Sequence, residues 1–336
     1  MPDVGPLEPD TGILKRNDKH KTKQGRNIQM KRALLAGIAT LILTSPAMAA
    51  NTRIGVTMAL FDDNFLTNVR EAMAAQAKTM PGVEIKFEDA QADIGRQINQ
   101  VQNFIAEGVS AIIVNPADTS ATRSITKMVE GAGIPLVYVN RGPDQKKLPE
   151  NVAVVVSDSV VAGRLQMQAL ADCMGGKGNV AIMLGELASN ATAERTAGNK
   201  EIIAKYPEIK VVEEQTANYQ RSQAINLMTN WIATGTKIDA VAANNDEMAI
   251  GALIAMKQAG IDPEKVCVGG IDATADALAR MHAGDLDVTV FQDAKGQGRG
   301  AVEAAVKLAN KEKQDQMVLI PYELVTKDNI AAYEGK

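Results

Sequence analysis

The sequence predicts an α/β protein with two parallel sheets, each covered by helices on both faces. Three observations support this fold class. Short apolar runs rich in Val, Ile and Ala end in polar residues, and most are followed by a segment with the hydrophobic period of a helix. This alternation occurs in two successive series. The chain of 336 residues is long enough for two domains with separate cores.

The first series spans residues 53–156. Its first predicted helix places Phe65, Val69 and Ala72 on one apolar face, because residues three and four positions apart are neighbours on a helix. Strands joined in this way form one doubly wound domain. The predicted strands are residues 53–58, 83–87, 111–114, 135–139 and 152–156, and the predicted helices are residues 65–79, 94–106 and 121–131.

The second series repeats the pattern with a different set of apolar runs. No low-complexity linker separates the two series. We therefore expect a short boundary near Ser157 and a second doubly wound domain beyond it. The predicted strands of this domain are residues 179–184, 209–213, 240–243, 266–271 and 288–291.

The amino terminus has the three parts of a secretory signal. Lys31 and Arg32 precede an apolar run at residues 33–43, and a small-x-small cleavage site follows at residues 47–49. An apolar run of this length is too short to span a bilayer about 30 Å thick. We therefore predict that residues 1–49 are a leader and cleavable signal peptide.

The chain has two cysteines, Cys173 and Cys267. They are too few for a disulfide scaffold or a four-thiolate zinc site. Export to an oxidising compartment permits a disulfide between them, but the sequence does not show that they lie close together. We expect two free or buried thiols.

The composition excludes several classes of function. A chain that is 46% hydrophobic and 23% charged is typical of a soluble globular protein. The formal net charge of -4 argues against a nucleic-acid partner, whose phosphates require a basic surface. The two histidines are His20, in the leader, and His282, so histidine-based metal sites and catalytic pairs would depend on His282. We predict no catalytic site, no metal and no cofactor.

Polar side chains concentrate directly after the predicted strands. In open parallel sheets, ligands bind beyond the carboxyl ends of the strands. Carboxylates, amides and arginines can accept from and donate to hydroxyl groups, and aromatic rings offer flat apolar faces. These residue types predict a site for a polyhydroxylated molecule, with Phe65 and Tyr219 stacking on it. The candidate residues are Asp63, Phe65, Asn115, Asn140, Arg141, Asp158, Arg195, Tyr219, Asn245, Asp272 and Gln292.

A second interpretation of the same residues remains open at this stage. Asp and Asn in loops often cap helices, and Asp118 and Asp246 can be explained in this way alone. Arg141 and Arg195 are not required for capping. The two arginines therefore favour the binding interpretation.

At these residues the chain resembles periplasmic solute-binding proteins of the ribose-binding type, which serve sugar ABC transporters. The resemblance covers nearly all of the chain after residue 49. It rests on Asn115-Pro116, Asn140-Arg141, Ala193-Glu194-Arg195, Asn245-Asp246-Glu247-Met248-Ala249, Gly270-Ile271-Asp272 and Gln292, in this order. The ligand positions of the family carry over to Asp63, Phe65, Asn115, Arg141, Asp158, Arg195, Tyr219, Asn245, Asp272 and Gln292.

Finer features resemble the myo-inositol and rhizopine binders of this family. Ribose binders usually have Asp immediately before the first arginine, and this chain has Asn140 there. Residues 62–67, 138–141 and 228–231 also resemble the inositol and rhizopine group. The resemblance implies a cyclitol or related monosaccharide as ligand, with ribose, another pentose or a hexose as the alternative. Since rhizopines carry an amine, the expected ligand is a small neutral or amino polyol.

The resemblance also implies how the two domains move. Two lobes joined by a three-segment hinge close on the ligand and bring Arg141 and Arg195 onto it. A membrane permease of an ABC transporter then reads the closed form, and the protein is expected to be a periplasmic monomer. The expected first lobe is residues 50–157 and 293–322, and the expected second lobe is residues 158–292 and 323–336.

Two other classes of function remain open from the sequence. A transcription regulator can have the same two-lobe fold, but it would need a basic helix-turn-helix where this chain has the secretory signal. A secreted glycoside hydrolase could use a carboxylate pair such as Asp63 and Asp272. A binding protein returns its ligand unchanged, whereas a hydrolase cleaves it.

Overall fold

The computed structural model describes residues 51–143, 145 and 147–336. The predicted leader and signal peptide, with Lys31, Arg32 and His20, lie outside the described residues. Within the described ranges, no helix is both long enough and apolar enough to cross a membrane.

Strands and helices alternate along the described chain. The strands are β1 (Thr52–Met58), β2 (Val83–Asp89), β3 (Ala111–Val114), β4 (Leu136–Val139), β5 (Val152–Val156), β6 (Lys177–Leu184), β7 (Glu208–Thr216), β8 (Ala240–Ala243), β9 (Cys267–Gly269), β10 (Thr289–Gln292), β11 (Met317–Leu319) and β12 (Tyr322–Val325). The helices are α1 (Asn64–Thr79), α2 (Ile94–Glu107), α3 (Thr122–Gly131), α4 (Ser159–Cys173), α5 (Asn190–Ile203), α6 (Arg221–Ala233), α7 (Asp246–Gln258), α8 (Ala275–His282) and α9 (Ala294–Ala309).

The first lobe is built on a six-stranded parallel sheet in the order β11-β5-β4-β3-β1-β2. Alternate residues of β3 face opposite sides of this sheet, as the two-residue period of a strand requires. Ile113 packs with α1 and α9, whereas Ile112 packs with α2 and α3. Both faces are therefore covered by helices, which confirms the predicted doubly wound arrangement.

The second lobe is built on a four-stranded parallel sheet in the order β7-β6-β8-β9. Met183 faces α6, α7 and α8, and Ile182 faces α4 and α5. Beside β9, isolated parallel bridges connect Gly269 to Val288 and Asp272 to Phe291. These bridges place β10 next to the second sheet, and β12 pairs with β10 in the antiparallel direction.

The chain passes between the two lobes three times. It leaves β5 for α4, returns from β10 to α9, and leaves β11 for β12. Helix α9 packs against the core of the first lobe through Ala301 and Val302. Strands β11 and β12 were not among the predicted strands, and the predicted strand 266–271 is shorter, at Cys267–Gly269. The residue limits expected for the two lobes stay a prediction.

The expectation of two thiols is wrong, because Cys173 and Cys267 form a disulfide. Cys173 is the last residue of α4 and Cys267 is the first residue of β9. Helix α4 packs on the sheet that contains β9, so its final turn reaches the start of that strand, and the two Cα atoms are 6.2 Å apart. The 94-residue separation along the chain concealed this contact.

Reduction of the disulfide is expected to lower the free energy of unfolding by about 2–4 kcal/mol, because a long loop is no longer constrained in the unfolded chain. Cys173 is exposed, so a reductant reaches the bond in the native protein. Urea unfolding followed by circular dichroism, with and without dithiothreitol, measures this difference. The double variant C173A/C267A is the control and should not respond to reductant. An identical midpoint for the wild-type protein under both conditions would contradict the prediction.

Candidate ligand-binding site

The carboxyl ends of the strands in both sheets converge on one cavity of about 30 Å³. Nine of the eleven residues that the sequence predicted line it, while Asn115 and Asp158 do not. Leu66 and Ala191 line it in addition. The full lining is Asp63, Phe65, Leu66, Asn140, Arg141, Ala191, Arg195, Tyr219, Asn245, Asp272 and Gln292.

Asp63 enters the cavity while capping a helix. Its Oδ1 accepts a hydrogen bond of 2.8 Å from the backbone N–H of Leu66, at the start of α1. Burial of the carboxyl raises the pKa of Asp63, against the opposing effects of that hydrogen bond and of Arg141. The capping and binding interpretations of Asp63 are therefore compatible, since only one of its two oxygens is used by the cap.

Asn115 lies behind the cavity lining and supports it. Its amide is fully buried, accepts a hydrogen bond from the backbone N–H of Ala59, and donates to the carbonyl of Val139 and to Oδ1 of Asn140. Asn140 has a φ of 67°, in the left-handed region that Asn tolerates better than most residues. The hydrogen bonds of Asn115 stabilise this unusual backbone conformation, which leaves Asn140 facing the cavity.

Asp158 also lies away from the cavity lining. Its Oδ1 accepts from the backbone N–H groups of Val160 and Val161 at 3.1 and 3.3 Å, and the residue is exposed. The structure therefore gives Asp158 the role of a helix cap for α4. The sequence could not separate the two roles, since both place Asp directly after a strand.

Arg141 reaches the cavity from the first lobe and is held by two partners. Its Nη1 donates to the carbonyl of Pro116 at 3.1 Å and forms an ion pair with Oε2 of Glu186 at 2.8 Å. The Arg141 side chain is 6% exposed. Its guanidinium carbon lies 5.8 Å from the centre of the Tyr219 ring, which comes from the second lobe.

Arg195 projects from α5 in the second lobe and is buried. Its Nη1 donates to the carbonyl of Asn244, and its Nη2 donates to Oε1 of Gln292 at 2.9 Å and to the Tyr322 hydroxyl at 3.0 Å. Among the described residues, its Nε has no hydrogen-bond partner. A Cβ at Gly163 of α4 would lie 2.0 Å from the Arg195 carbonyl, so only glycine allows the approach of the two helices that seats this arginine.

Tyr219 and Asn245 complete the wall on the second lobe. The Tyr219 hydroxyl is hydrogen-bonded to Oγ1 of Thr192 at 2.7 Å, and the centre of the ring is 5.8 Å from the guanidinium carbon of Arg141 and 6.0 Å from that of Arg195. Asn245 caps α7 through Oδ1, which accepts from the backbone N–H of Met248, and its Nδ2 donates to the Tyr219 carbonyl. The ring and the amide are therefore fixed relative to each other.

Carboxylates are crowded at one end of the cavity. Burial raises the pKa of Asp272 well above its ordinary value, and the negative charges of Asp246, Asp63 and Glu247 raise it further, while Arg195 opposes the rise. Oδ1 of Asp272 is 3.9 Å from Nη2 of Arg195. This end of the cavity favours a proton on one of the carboxyls or a cationic group nearby.

Glu186 and Tyr322 contact residues that line the cavity, and neither was among the predicted site residues. Glu186 lies in the loop after β6, two residues beyond the strand, and Tyr322 opens a short strand that the apolar pattern did not reveal. The position of Glu186 after a predicted strand was a usable signal. No comparable signal marked Tyr322, because its contact with Arg195 depends on the last passage of the chain between the lobes.

A larger groove of about 780 Å³ lies beside the cavity and shares Phe65, Asp272 and Gln292 with it. Most of the rest of its wall is helix surface from α1, α8 and α9 and the residues at the end of the chain, with Phe291 of β10 and the residues just before α8 and α9. We place the candidate site in the smaller cavity, because Arg141 and Arg195 line it and do not line the groove. Within the described ranges, no group of three or more His, Cys, Asp or Glu side chains could hold a metal ion.

Comparison with protein families matches residues 54–313 to the periplasmic binding protein domain. The chain belongs to this family. A relative from Rhizobium meliloti, named “Putative rhizopine-binding protein”, is 50% identical over 310 residues, which are 91% of this chain and 100% of that protein. The ribose import binding protein RbsB of Bacillus subtilis is 32% identical and covers 81% of this chain and 87% of its own length.

A solved structure of an ABC transporter solute-binding protein from Bacillus halodurans, with bound myo-inositol, superposes with a TM-score of 0.81. Its sequence is 46% identical, and the match covers 86% of this chain and 99% of that one. As a member of the periplasmic binding protein family, the chain has the expected type I fold of two lobes. Membership also implies an ABC importer and a periplasmic location.

Asp246 is a buried carboxyl beside the cavity that the sequence interpreted as a simple cap. Its Oδ1 accepts from Oγ1 of Thr289 at 2.6 Å, and its Oδ2 accepts from the backbone N–H and Oγ1 of Thr274. Burial raises the pKa of Asp246 to about 6 despite these hydrogen bonds. The carboxyl therefore links the segments that carry Thr274 and Thr289 in the second lobe. Its burial makes the charged form unfavourable, which offsets part of the stability that these hydrogen bonds provide.

The raised pKa of Asp246 predicts a stability that falls as pH rises. The folded protein keeps the proton up to about pH 6, whereas an unfolded aspartate loses it near pH 3.9. Between these values the folded state binds more protons, so its free energy of unfolding decreases with rising pH, by about 3 kcal/mol for this group. Urea unfolding between pH 4.5 and about 7.5 measures the slope.

The variant D246N should reduce this slope, because an amide does not titrate, and the remaining slope comes from carboxyls such as Asp63 and Asp272, whose pKa values burial also raises. The exposed Asp315 offers a matched control, and D315N should keep the wild-type slope. If the free energy of unfolding changed with pH by the same slope in D246N and in the wild-type protein, Asp246 would have the same pKa in the folded and unfolded states, and the prediction would be wrong.

Proposed function

We propose that this protein is the solute-binding component of an ABC importer and that the cavity between its lobes binds a cyclitol or a related monosaccharide. One observation carries the proposal. Arg141 and Arg195, from different lobes, approach the same cavity with Asp63 and Asp272, and the Tyr219 ring lies 5.8 and 6.0 Å from their two guanidinium carbons. The relatives named for rhizopine and crystallised with myo-inositol support the same class of ligand.

The lining suits a ring that carries many hydroxyl groups. Carboxylate oxygens of Asp63 and Asp272 accept from hydroxyls, and the guanidinium of Arg195 has a free Nε that donates. Phe65 and Tyr219 offer apolar faces to the C–H surface of the ring. Hydrogen bonds of this kind strengthen when the closing lobes exclude water.

The volume of the cavity supports a movement of the lobes during binding. A cavity of about 30 Å³ is far smaller than the few hundred Å³ typical of small-molecule sites. A cyclitol therefore enters only when the lobes or the lining side chains move apart. The three passages of the chain between the lobes supply a hinge, and we propose the lobes to be residues 50–157 with 293–322 and 158–292 with 323–336.

An amino polyol fits the charges of the cavity better than a neutral one. Asp63, Asp272 and Glu247 act on one another as like charges, and Glu247 is already paired with Arg221. A ligand ammonium group near Asp272 would relieve the repulsion that raises its pKa. This reasoning favours a cyclitol that carries an amine, and a neutral inositol, ribose or hexose remains the alternative.

The rest of the proposal concerns the export of the protein and its role in the cell. Residues 1–49 direct export and are removed, and the mature protein acts as a periplasmic monomer that delivers its ligand to a membrane permease. It binds and releases the ligand without chemical change. Mass spectrometry of a ligand incubated with excess protein tests this last point, since a hydrolase would leave cleaved product.

A thermal-shift panel tests the ligand class. Protein freed of copurified molecules by unfolding and refolding is heated with myo-inositol, scyllo-inosamine, ribose or galactose. A true ligand at 100 times its dissociation constant should add about 2.7 kcal/mol of stability. An equal concentration of sucrose controls for general stabilisation by osmolytes. If none of the polyols stabilises the protein beyond sucrose, the proposed function is wrong.

Ionisation of Asp272 should govern the preference for an amine. Because burial raises the pKa of Asp272, the carboxyl gains charge as pH rises through that pKa, and affinity for scyllo-inosamine should rise with it, while affinity for myo-inositol changes little. In D272N the pH dependence should vanish and scyllo-inosamine should bind roughly 10- to 100-fold more weakly. Isothermal titration calorimetry measures both effects.

The matched control for this experiment is D158N, which alters an aspartate that caps a helix outside the cavity. Its affinities should equal those of the wild-type protein. A pH profile that is the same for both ligands would rule out an amine subsite at Asp272.

A further inference from the structure

Glu186 connects the two lobes without lining the cavity. It follows β6 of the second lobe, and its Oε2 lies 2.8 Å from Nη1 of Arg141, which follows β4 of the first lobe. The Arg141 side chain is 6% exposed and that of Glu186 is 19% exposed. A pair that is this well shielded is weakly screened by salt and has a fixed geometry, unlike an ion pair on the surface.

The loop that carries Glu186 is held rigidly from its own lobe. Gly185 donates its N–H to Oδ1 of Asn244 and accepts from Oγ1 of Thr216. The Glu186 carbonyl accepts from Oγ1 of Thr192 at 2.7 Å. A Cβ on Gly185 would lie 2.0 Å from the Tyr219 ring, so glycine lets the loop pass directly over this ring. The loop therefore presents the Glu186 carboxylate from a fixed position.

Two further contacts between the lobes surround the same cavity. Thr119 of the first lobe donates its backbone N–H to the carbonyl of Ala188 at 2.9 Å, and Nδ2 of Asn64 donates to Oε1 of Glu247 at 2.7 Å. Asn64 and Ala188 are exposed, so water competes for both contacts. The Arg141–Glu186 pair is more buried than these and joins a charged group on each lobe.

We propose that Glu186 is a positioning residue that stabilises the closed arrangement of the lobes and orients Arg141 toward the ligand. Closure brings the carboxylate to Nη1 of Arg141, and separation of the lobes exposes both charges to water. Glu186 thus acts on the ligand through Arg141 and through the lifetime of the closed form. The part of this inference that concerns the ligand rests on the proposed function.

The first test measures closure without any ligand. Thr119 and Ala188 are replaced by cysteines in the wild-type background and in E186Q, and the rate of disulfide formation under a mild oxidant is followed on non-reducing gels. Trapping accumulates even when closed molecules are a minority. E186Q should slow it roughly ten-fold, since an unpaired buried charge disfavours closure. The control E201Q removes an exposed ion pair with Arg164 in the same lobe and should leave the rate unchanged.

The second test measures myo-inositol binding by stopped-flow or surface plasmon resonance. E186Q should raise the dissociation rate roughly ten-fold and leave the association rate nearly unchanged, because closure follows encounter. E186A should behave alike, and circular dichroism confirms that both variants are folded. If Glu186 had only a structural role, its substitution would lower the stability of the fold but would not raise the dissociation rate while leaving the association rate unchanged.

An unchanged rate of disulfide trapping in E186Q would overturn the proposal. If trapping slows but the wild-type protein binds no polyol, the proposed function fails while the role of Glu186 in closure stands.

Discussion

The buried guanidinium of Arg195 is the interaction on which the cavity and the hinge both depend. It is 5% exposed and donates to the carbonyl of Asn244, to Gln292 and to the Tyr322 hydroxyl. Gln292 ends the strand before the second passage between the lobes, and Tyr322 begins the strand after the third. A buried cation is tolerated when most of its donors are satisfied, so these partners fix the hinge strands relative to α5.

Most of the fold could be predicted from the sequence because its strands are buried on both faces. Parallel strands such as β3 and β4 are apolar throughout, and the rule that ligands lie beyond their carboxyl ends places Asp63, Arg141 and Asn245 at one edge without knowledge of the lobes. The short strands β11 and β12 escaped because only a few of their residues are buried. They are defined by the partners they pair with, which lie far away in the chain.

The site shows a second limit of prediction from the sequence. An aspartate after a strand can either cap a helix or bind a ligand, and both roles use the same carboxylate. Asp63 and Asp158 both follow a strand and both cap a helix, yet only Asp63 lines the cavity. The local sequence around Asp63 and around Asp158 therefore gives the same signal. The difference is visible only in the folded protein, where Asp158 is exposed and lies outside the cavity lining. The Cys173–Cys267 disulfide was hidden for a similar reason, since α4 and β9 are far apart in the chain and are brought together by the packing of the helix on the sheet.

Recognition and closure use the same charged groups, and this coupling follows from the distribution of charge between the lobes. The first lobe supplies Arg141 and Asp63 to the cavity lining, and the second supplies Arg195 and Asp272. Glu186 of the second lobe pairs with Arg141 without lining the cavity. Separation of the lobes gives water more access to the cavity lining, whereas closed lobes must pair each buried charge with a neighbour or with the ligand. The carboxylates exceed the arginines, so closure without a partner favours the protonated form of a carboxyl such as Asp272, whose pKa burial raises. A ligand that supplies donors to these oxygens removes that cost, and the closed form is then stabilised in proportion to how well the ligand satisfies them.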